Sequence, residues 1–270
     1  PLLLELSGAR DSKRLRTMGI RITRHLGGVG EHLQDHLGLD HLYRARVPTL
    51  NQELAPWRGK LWSALRYLFT RRGPLALSVN QGAGFVSLDD RDPRPDLQLY
   101  YSPLRYTPAP AGSRPLMSPD AFPGFLLGFN PCRPTSRGST HLRSADPFSS
   151  PAIRPNYLST EFDRAQMLAG ARMLREFAAM PALAAIIDEE LLPGGGPLDD
   201  DAMWAFITAN AWTVFHPCGS CRMGNDPTSS VVDPRLRVHG LTGLRVVDAS
   251  VFPSIPSGNT NAPAIMIGEK

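Results

Sequence analysis

Cysteine is scarce in this 270-residue chain. Its three thiols leave at least one unpaired, which excludes the disulfide framework of a small secreted scaffold. Lysine is scarcer still against arginine, supplying only three of the 29 basic residues. The arginines are scattered rather than gathered into a stripe with stacking aromatics, which argues against a nucleic-acid surface. No apolar run approaches the ~18 residues that a membrane helix needs. The Leu2-Leu3-Leu4 opening is too short, and lacks the basic lead-in, for a signal peptide. There is no internal repeat and no low-complexity tract. What is present, 42% hydrophobic and 20% charged residues with a net charge of +4, fills an ordinary globular core. At ~150 residues per domain the length allows one large domain or two. The first residues read as the interior of a longer polypeptide, so the chain is expected to be a fragment. With no signal visible the expected compartment is the cytoplasm, which leaves room for peripheral attachment to a membrane.

Periodicity divides the chain further. Residues 1–40 read as a short helix, a turn and a Gly-rich corner at Gly27-Gly28-Val29-Gly30, where glycine tolerates positive φ. A helix is predicted over residues 56–72, with Leu61, Ala64, Leu65 and Leu68 on one apolar face and Gly73-Pro74 as its stop. The period then falls to two: Leu97, Leu99 and Tyr101, then Phe125, Leu127 and Phe129, predict strands of a half-buried sheet joined by the Pro-rich loop 107–123. A short strand follows Arg137-Gly138-Ser139, and residues 144–155 read as a turn-rich connector. The clearest helix spans about 161–179, capped by Thr160 and ended by Pro181, with Met167, Gly170, Ala171, Leu174, Phe177 and Ala178 on its inner face. A further helix carries Ala202, Ala205, Phe206 and Ala209. Residues 211–270 are dense in Gly, Pro, Asn and His, with strand-like pieces at 236–238 and 244–247. The chemistry is expected there.

Three kinds of candidate stand out. Cys218-Gly-Ser-Cys221 has the spacing of a redox dithiol or half a zinc site, but its lead-in is Phe215-His216-Pro217, and Cys132 is alone as a further ligand. Small thiols filling a tight turn is the preferred reading, with no metal. Gly28-Val-Gly30 and Gly82-Ala-Gly84 each lack a third glycine and a strand–turn–helix context, so the chain holds no complete dinucleotide cradle. Of the seven histidines, His25, His32, His41, His141 and His239 are expected at the surface or in hydrogen bonds. Asp35-His36 sets a carboxylate beside an imidazole, although neighbours in a chain rarely face each other. His216 follows the apolar Trp212-Thr-Val-Phe215 and precedes the stiffening Pro217. Forty-three residues on lies a second rigid loop, Pro256-Ser-Gly258-Asn259-Thr-Asn261-Ala-Pro263. An imidazole and two carboxamides on stiff loops suit a hydroxyl-bearing ligand. A satisfied structural histidine accounts for the same residues equally well.

A resemblance tips that balance. His216-Pro-Cys-Gly-Ser-Cys-Arg-Met-Gly224, Val231-Val-Asp-Pro-Arg-Leu-Arg-Val-His-Gly240, Gly243-Leu-Arg-Val-Val-Asp-Ala-Ser250 and the run from Ser257 to Lys270 resemble the C-terminal signature of the glucose–methanol–choline (GMC) flavin oxidoreductases. Leu4-Glu-Leu-Ser-Gly8, Gly28-Val-Gly-Glu-His-Leu-Gln-Asp-His36, Arg133-Pro-Thr-Ser-Arg-Gly138 and Ser144-Ala-Asp-Pro-Phe148 are similar to further pieces of that family. The pattern is nearest to choline-dehydrogenase-like and other bacterial alcohol-dehydrogenase members. It departs at Ser7-Gly-Ala-Arg10, where the family usually has Ser-Gly-Ile-Gly, and at His32, which replaces a common Asn.

The resemblance implies an α+β fold, with residues 1–40 and 220–270 as remnants of an FAD-binding domain and 41–219 as a substrate domain, an antiparallel sheet backed by helices. It implies FAD-dependent oxidation of a small-molecule alcohol to an aldehyde or ketone, by proton abstraction and hydride transfer to flavin N5. His216 is then the catalytic base, Asn259 the catalytic group that holds the substrate oxygen, and Asp248, Ala249 and Asn261 cofactor-binding residues. The family's N-terminal FAD cradle is not in these residues, so the isolated chain is expected to be inactive. The electron acceptor, oxygen or a quinone, is not legible. The rival readings are a non-catalytic binding scaffold and a lyase on the same fold.

Overall fold

The computed structural model describes residues 1–88, 92–107 and 118–270, and within them the chain divides into two compact units. Unit 1 comprises Pro1–Leu37, Cys132–Ala165 and Thr213–Lys270, and unit 2 comprises Gly38–Pro131 and Gln166–Trp212. These boundaries differ from the sequence division at 40 and 220. Residues 132–165 and 213–219 group with the two terminal segments, because backbone pairing holds them there: Leu33 pairs with Gly138, and Gln34 with Cys218.

Unit 2 is built on an antiparallel sheet with strand order β10-β1-β6-β3-β2 and β9 also paired to β1. The strands are β1 (Leu37–Ala45), β2 (Gly82–Val86), β3 (Leu97–Ser102), β6 (Gly124–Pro131), β9 (Ile187–Leu192) and β10 (Trp212–Thr213). A small ribbon, β4 (Tyr106–Thr107) with β5 (Ser118–Pro119), lies at the ends of the Pro-rich loop, whose residues 108–117 fall outside the described ones. The expected period-two strands are found. β6, paired on both sides, is buried along its whole length rather than on alternate positions. Gly128 in β6 leaves the space that Tyr100 and Asp40 occupy; a Cβ there would sit 2.0 Å from the Tyr100 ring. The Tyr100 hydroxyl donates to Asp40 at 2.9 Å.

The clearest predicted helix, α5 (Glu161–Ala179), is present with its N-terminal hydrogen bond from Asp163 N–H to Thr160 at 3.3 Å. Met167, Ala171 and Leu174 are buried, and Gly170 lets α5 approach Phe129. Pro181 does more than end α5, since it opens a further short helix, α6 (Pro181–Ala184).

Two other helices of unit 2 bury few residues, and one of them turns its predicted apolar face outward. In α7 (Asp200–Asn210), Met203 and Ile207 are buried, while Ala202, Ala205 and Ala209 face solvent. In α4 (Trp57–Thr70), which follows the short α3 (Leu50–Leu54), the buried residue is Ser63. Gly59 approaches so closely that a Cβ there would meet the Glu53 carbonyl at 1.8 Å, and Ser63 donates to the Glu53 carboxylate at 2.9 Å. The predicted apolar face of Leu61, Leu65 and Leu68 is therefore turned outward, Leu68 being 60% exposed. A small, polar seam anchors this helix because only small residues permit so close an approach.

Unit 1 has little regular structure. It contains α1 (Leu2–Leu6), α2 (Ser12–Thr17), the pair β7 (Ser139–His141) and β8 (Ala152–Arg154), and the C-terminal α8 (Asn261–Glu269). The strand-like pieces at 236–238 and 244–247 form only single bridges, Val232 with Val238 and Arg237 with Arg245. An apolar core of Leu4, Leu26, Val29, Val231, Val251 and Phe252 takes in Cys218 and Cys221. Beside it lies a buried ionic cluster: the Glu5 carboxylate meets Arg10 at 3.0 Å and His141 Nδ1 at 2.9 Å, and accepts the Leu142 N–H at 2.7 Å. Burial pushes the Glu5 carboxyl upward, but these donors more than reverse it and hold it below the usual range. His141 is thus hydrogen-bonded, as expected. His41 in unit 2 is neither exposed nor hydrogen-bonded: it is fully buried, edge-on to Phe206.

Candidate active site

The site grows from two extended segments of unit 1. Residues 33–36 are pinned by reciprocal backbone bonds, Leu33 with Gly138 at 2.9 and 2.8 Å and Gln34 with Cys218 at 3.0 and 2.9 Å, and the His36 carbonyl accepts the Val214 N–H at 3.2 Å. Between Val214 and Cys218 the chain kinks. Phe215 adopts φ 59°, a left-handed conformation uncommon for an aromatic residue, and Pro217 disfavours a helical conformation at His216. The kink leaves Phe215 76% exposed and His216 9% exposed. Asp35 stabilises it by accepting the His216 backbone N–H at 2.8 Å, while Tyr157 donates to the same carboxylate at 2.6 Å.

The His216 imidazole then has a partner at each nitrogen. Nδ1 lies 2.9 Å from His36 Nδ1, and Nε2 lies 3.0 Å from Asn259 Nδ2. His36 Nε2 is in turn 3.1 Å from the Cys132 carbonyl. Gln34 ties in the Asn259 loop, its Oε1 accepting the Ile255 N–H at 3.1 Å. Burial lowers the His216 pKa, with Asp35 opposing. Burial pushes His36 down to about 4, with the Cys132 carbonyl opposing and His216 reinforcing the shift. Both rings are neutral at pH 7, and a neutral imidazole keeps one lone pair to accept a proton.

The two predicted catalytic residues are therefore brought together. The three predicted cofactor residues lie on neighbouring elements instead. Asp248 is exposed and opens a short 3-10 turn, Ala249–Val251, accepting the Ser250 N–H at 2.8 Å. Ala249 is half-buried, and its carbonyl accepts the Gly219 N–H at 3.3 Å, while Ser250 and Val251 carbonyls accept from Cys221 and Met223, each at 2.8 Å. That ladder docks the 3-10 turn on the loop after His216. Asn261 is the exposed first residue of α8, which packs against the same turn.

Neither glycine pair offers a pyrophosphate cradle. A Cβ on Gly30 would sit 2.3 Å from the Thr140 carbonyl, so the chain itself fills that space. Gly82 and Gly84 lie within β2, not at the turn before a helix. Cys218 and Cys221 are buried, and burial raises both thiols, Cys218 to about 12, so neither is a thiolate at neutral pH. Among the described residues no group of three or more His, Cys, Asp or Glu side chains is placed to hold a metal ion.

The sequence profile described as GMC oxidoreductase matches residues 134–268. The chain belongs to the GMC oxidoreductase family. Its relatives include oxygen-dependent choline dehydrogenase of Chromohalobacter salexigens, 37% identical over 270 residues, covering all of this chain and 47% of that protein. Alcohol dehydrogenase [acceptor] of Pseudomonas putida is 39% identical and mitochondrial choline dehydrogenase of Homo sapiens 40% identical, with all of this chain aligned to 48% and 45% of those proteins. Pyridoxine 4-oxidase from Mesorbium loti matches the structure with a TM-score of 0.80 at 30% identity, over all of this chain and 48% of that one. Formate oxidase matches with a TM-score of 0.86 at 26% identity, over 99% and 50% of the two chains. The chain thus spans about half the length of the GMC relatives it matches. The mixed α+β architecture with an antiparallel sheet is shared with these structures.

Sequence reasoning missed His36. The residue was set aside because Asp35 is its neighbour, yet its partner is His216, 180 positions away. Its place immediately before β1 and its type were the available signals, and neither carries pairing information across such a distance.

Proposed function

We propose that the intact protein oxidises an alcohol to an aldehyde or ketone with FAD, and that this chain supplies the group that activates the hydroxyl. The observation that carries the reading is the His216–Asn259 pair, with a buried, neutral imidazole whose Nε2 lies 3.0 Å from an exposed carboxamide. A hydroxyl is too weakly acidic to ionise unaided at neutral pH. A hydroxyl that displaces the Asn259 N–H from His216 Nε2 can donate its proton to that nitrogen and accept from the freed Asn259 Nδ2–H, which steadies the charge developing on oxygen. The names of the relatives, choline and alcohol dehydrogenases, support a CH–OH donor as the substrate class.

The residues at this end of unit 1 fit a flavin. The first turn of α8 carries no side-chain cap, so its leading N–H groups and positive dipole end suit electron-rich ring edges. Asp248, Ala249 and Asn261 are the residues we assign to holding the cofactor. When bound, FAD supplies the two-electron acceptor for the hydride leaving the carbinol carbon. Unit 1 is accordingly assigned to the FAD domain and the sheet of unit 2 to the substrate domain.

In the full-length protein, His216→Ala is expected to lower turnover by about 10²–10⁴-fold while bound flavin is retained. Asn259→Ala should slow turnover less. Flavin absorbance and turnover measured together decide the matter: normal turnover in flavin-loaded His216→Ala removes the base, and a loss that tracks missing flavin makes its role structural.

A further inference from the structure

With both imidazoles neutral, the Cys132 carbonyl sets the arrangement of protons along the line of atoms behind the candidate base. The Cys132 carbonyl can only accept, so His36 Nε2, 3.1 Å away, carries a hydrogen and donates it. In neutral His36 the other nitrogen, Nδ1, is then a lone pair. It faces His216 Nδ1 at 2.9 Å, so His216 must donate through Nδ1. A neutral His216 with its hydrogen on Nδ1 has its lone pair on Nε2. There it meets Asn259 Nδ2, a donor, at 3.0 Å. The backbone carbonyl at one end sets this tautomer, and the orientation of the Asn259 amide at the other agrees with it. Had the first acceptor been a donor, the relay would reverse and Nε2 would be blocked by its own hydrogen.

The surroundings keep the relay in this state. His36 is completely buried, in T-shaped contact with the His216 ring at 5.2 Å between centroids. The nearby charge, on Asp35, is committed to the His216 backbone N–H, Tyr157 and Thr213 rather than to either ring nitrogen. Among the described residues, no carboxylate is hydrogen-bonded to a ring nitrogen of His36 or His216. A second imidazole does, with a main-chain carbonyl behind it.

We propose that His36 is a positioning residue which, through the Cys132 carbonyl, holds His216 in the tautomer with its hydrogen on Nδ1 and its lone pair on Nε2. The consequence for turnover rests on the reading of His216 as the base; the tautomer itself does not. Uptake of the substrate proton at Nε2 leaves an imidazolium whose Nδ1–H still donates to His36, so the relay needs no rearrangement during the step.

The first test is independent of activity. In the chain labelled with ¹⁵N at histidine, long-range ¹H–¹⁵N correlation at pH 7 should show His216 with a protonated Nδ1 and an unprotonated Nε2. The opposite pattern in the wild-type chain overturns the proposal without any variant. His36→Ala should shift His216 toward protonation at Nε2. His36→Asn, whose Oδ1 can stand where Nδ1 stood as acceptor, should restore the original pattern. In the full-length enzyme, His36→Ala should lower kcat by at least roughly tenfold, following the reduced share of competent tautomer, and His36→Asn should recover most of the loss. If His216→Ala abolishes turnover while His36→Ala alters neither tautomer nor kcat, the base stands and the lock falls. If the tautomer behaves as stated but His216→Ala is fully active, the lock stands and the catalytic reading falls.

Discussion

The two units solve opposite problems at their boundaries with water. Unit 1 has little regular structure and buries polar and charged groups: Glu5, Arg10, His36, His141 and His216 are all nearly inaccessible. Unit 2 has a regular sheet with a dense apolar core, yet leaves an apolar helix face outside, with Leu61, Leu68 and Phe69 more than half exposed. Burying a polar group is costly unless it is partnered, and in unit 1 the partnering of Glu5, His36, His141 and His216 fixes their geometry. That is why the candidate chemistry lies in the irregular unit. The regular unit is held by packing, which tolerates surface changes but few interior ones.

The comparison is broken most severely at Glu5. Replacing it with Ala leaves the buried Leu142 N–H without its acceptor and Arg10 with only Glu31 as a carboxylate partner, and should cost about 3–5 kcal/mol; chemical denaturation of the variant checks this, and a loss below 1 kcal/mol would mean the cluster is not a strut.

Acid should separate the units next. His36 has its pKa pushed from 6.5 to about 4, so between those values the unfolded chain binds the proton that the native one refuses. Stability in unit 1 therefore falls as pH drops from 6.5 toward 4, by about 3 kcal/mol in all. His216 and His32 are lowered in the same direction. In unit 2 the effects oppose. His41, lowered to about 3, loses stability with acid, whereas Asp40, raised from 3.8 to about 6, gains it as pH falls through 6. Hydrogen exchange corrected for intrinsic rates should show unit 1 amides losing more protection than unit 2 amides between pH 7 and 4.5. Equal losses would remove the distinction.

Packing in unit 2 is probed by Gly170→Ala, whose Cβ would lie 2.2 Å from the Phe129 ring. Overpacking there should cost about 1–3 kcal/mol, read as a lowered denaturation midpoint. The smallest effect belongs to the outward face of α4, where Leu61→Ser and Leu68→Ser should each change folding stability by no more than about 0.5 kcal/mol. A larger loss in thermal unfolding would show that this face is packed.

How much of this was legible depends on the range of the interaction involved. The α5 helix could be read because its apolar repeat, Thr160 cap and terminal Pro181 act within a few turns. The strands at 97–102 and 124–131 were visible for the same reason. At α4 the pattern was read correctly as helical, but its face was inverted, since nothing local announces that Gly59 and Ser63 form the seam against Glu53. At 236–247, β-like composition yielded only isolated bridges because no neighbouring strand continues the pairing.

The candidate site shows the same division. The local sequence supplied the residue types: an imidazole before a proline, and a carboxamide in a stiff Gly-Asn-Thr-Asn loop. Their membership in a long ordered signature singled out His216 and Asn259 from the other histidines and asparagines. Only the tertiary structure decided which nitrogen of His216 faces Asn259, and that His36 rather than Asp35 stands behind the ring. Side-chain hydrogen bonds are directional over about 3 Å, whereas the residues that make them here are separated by 43 and 180 positions. Sequence spacing carries no direction across such intervals; the folded backbone around Phe215, Gln34 and Cys132 does.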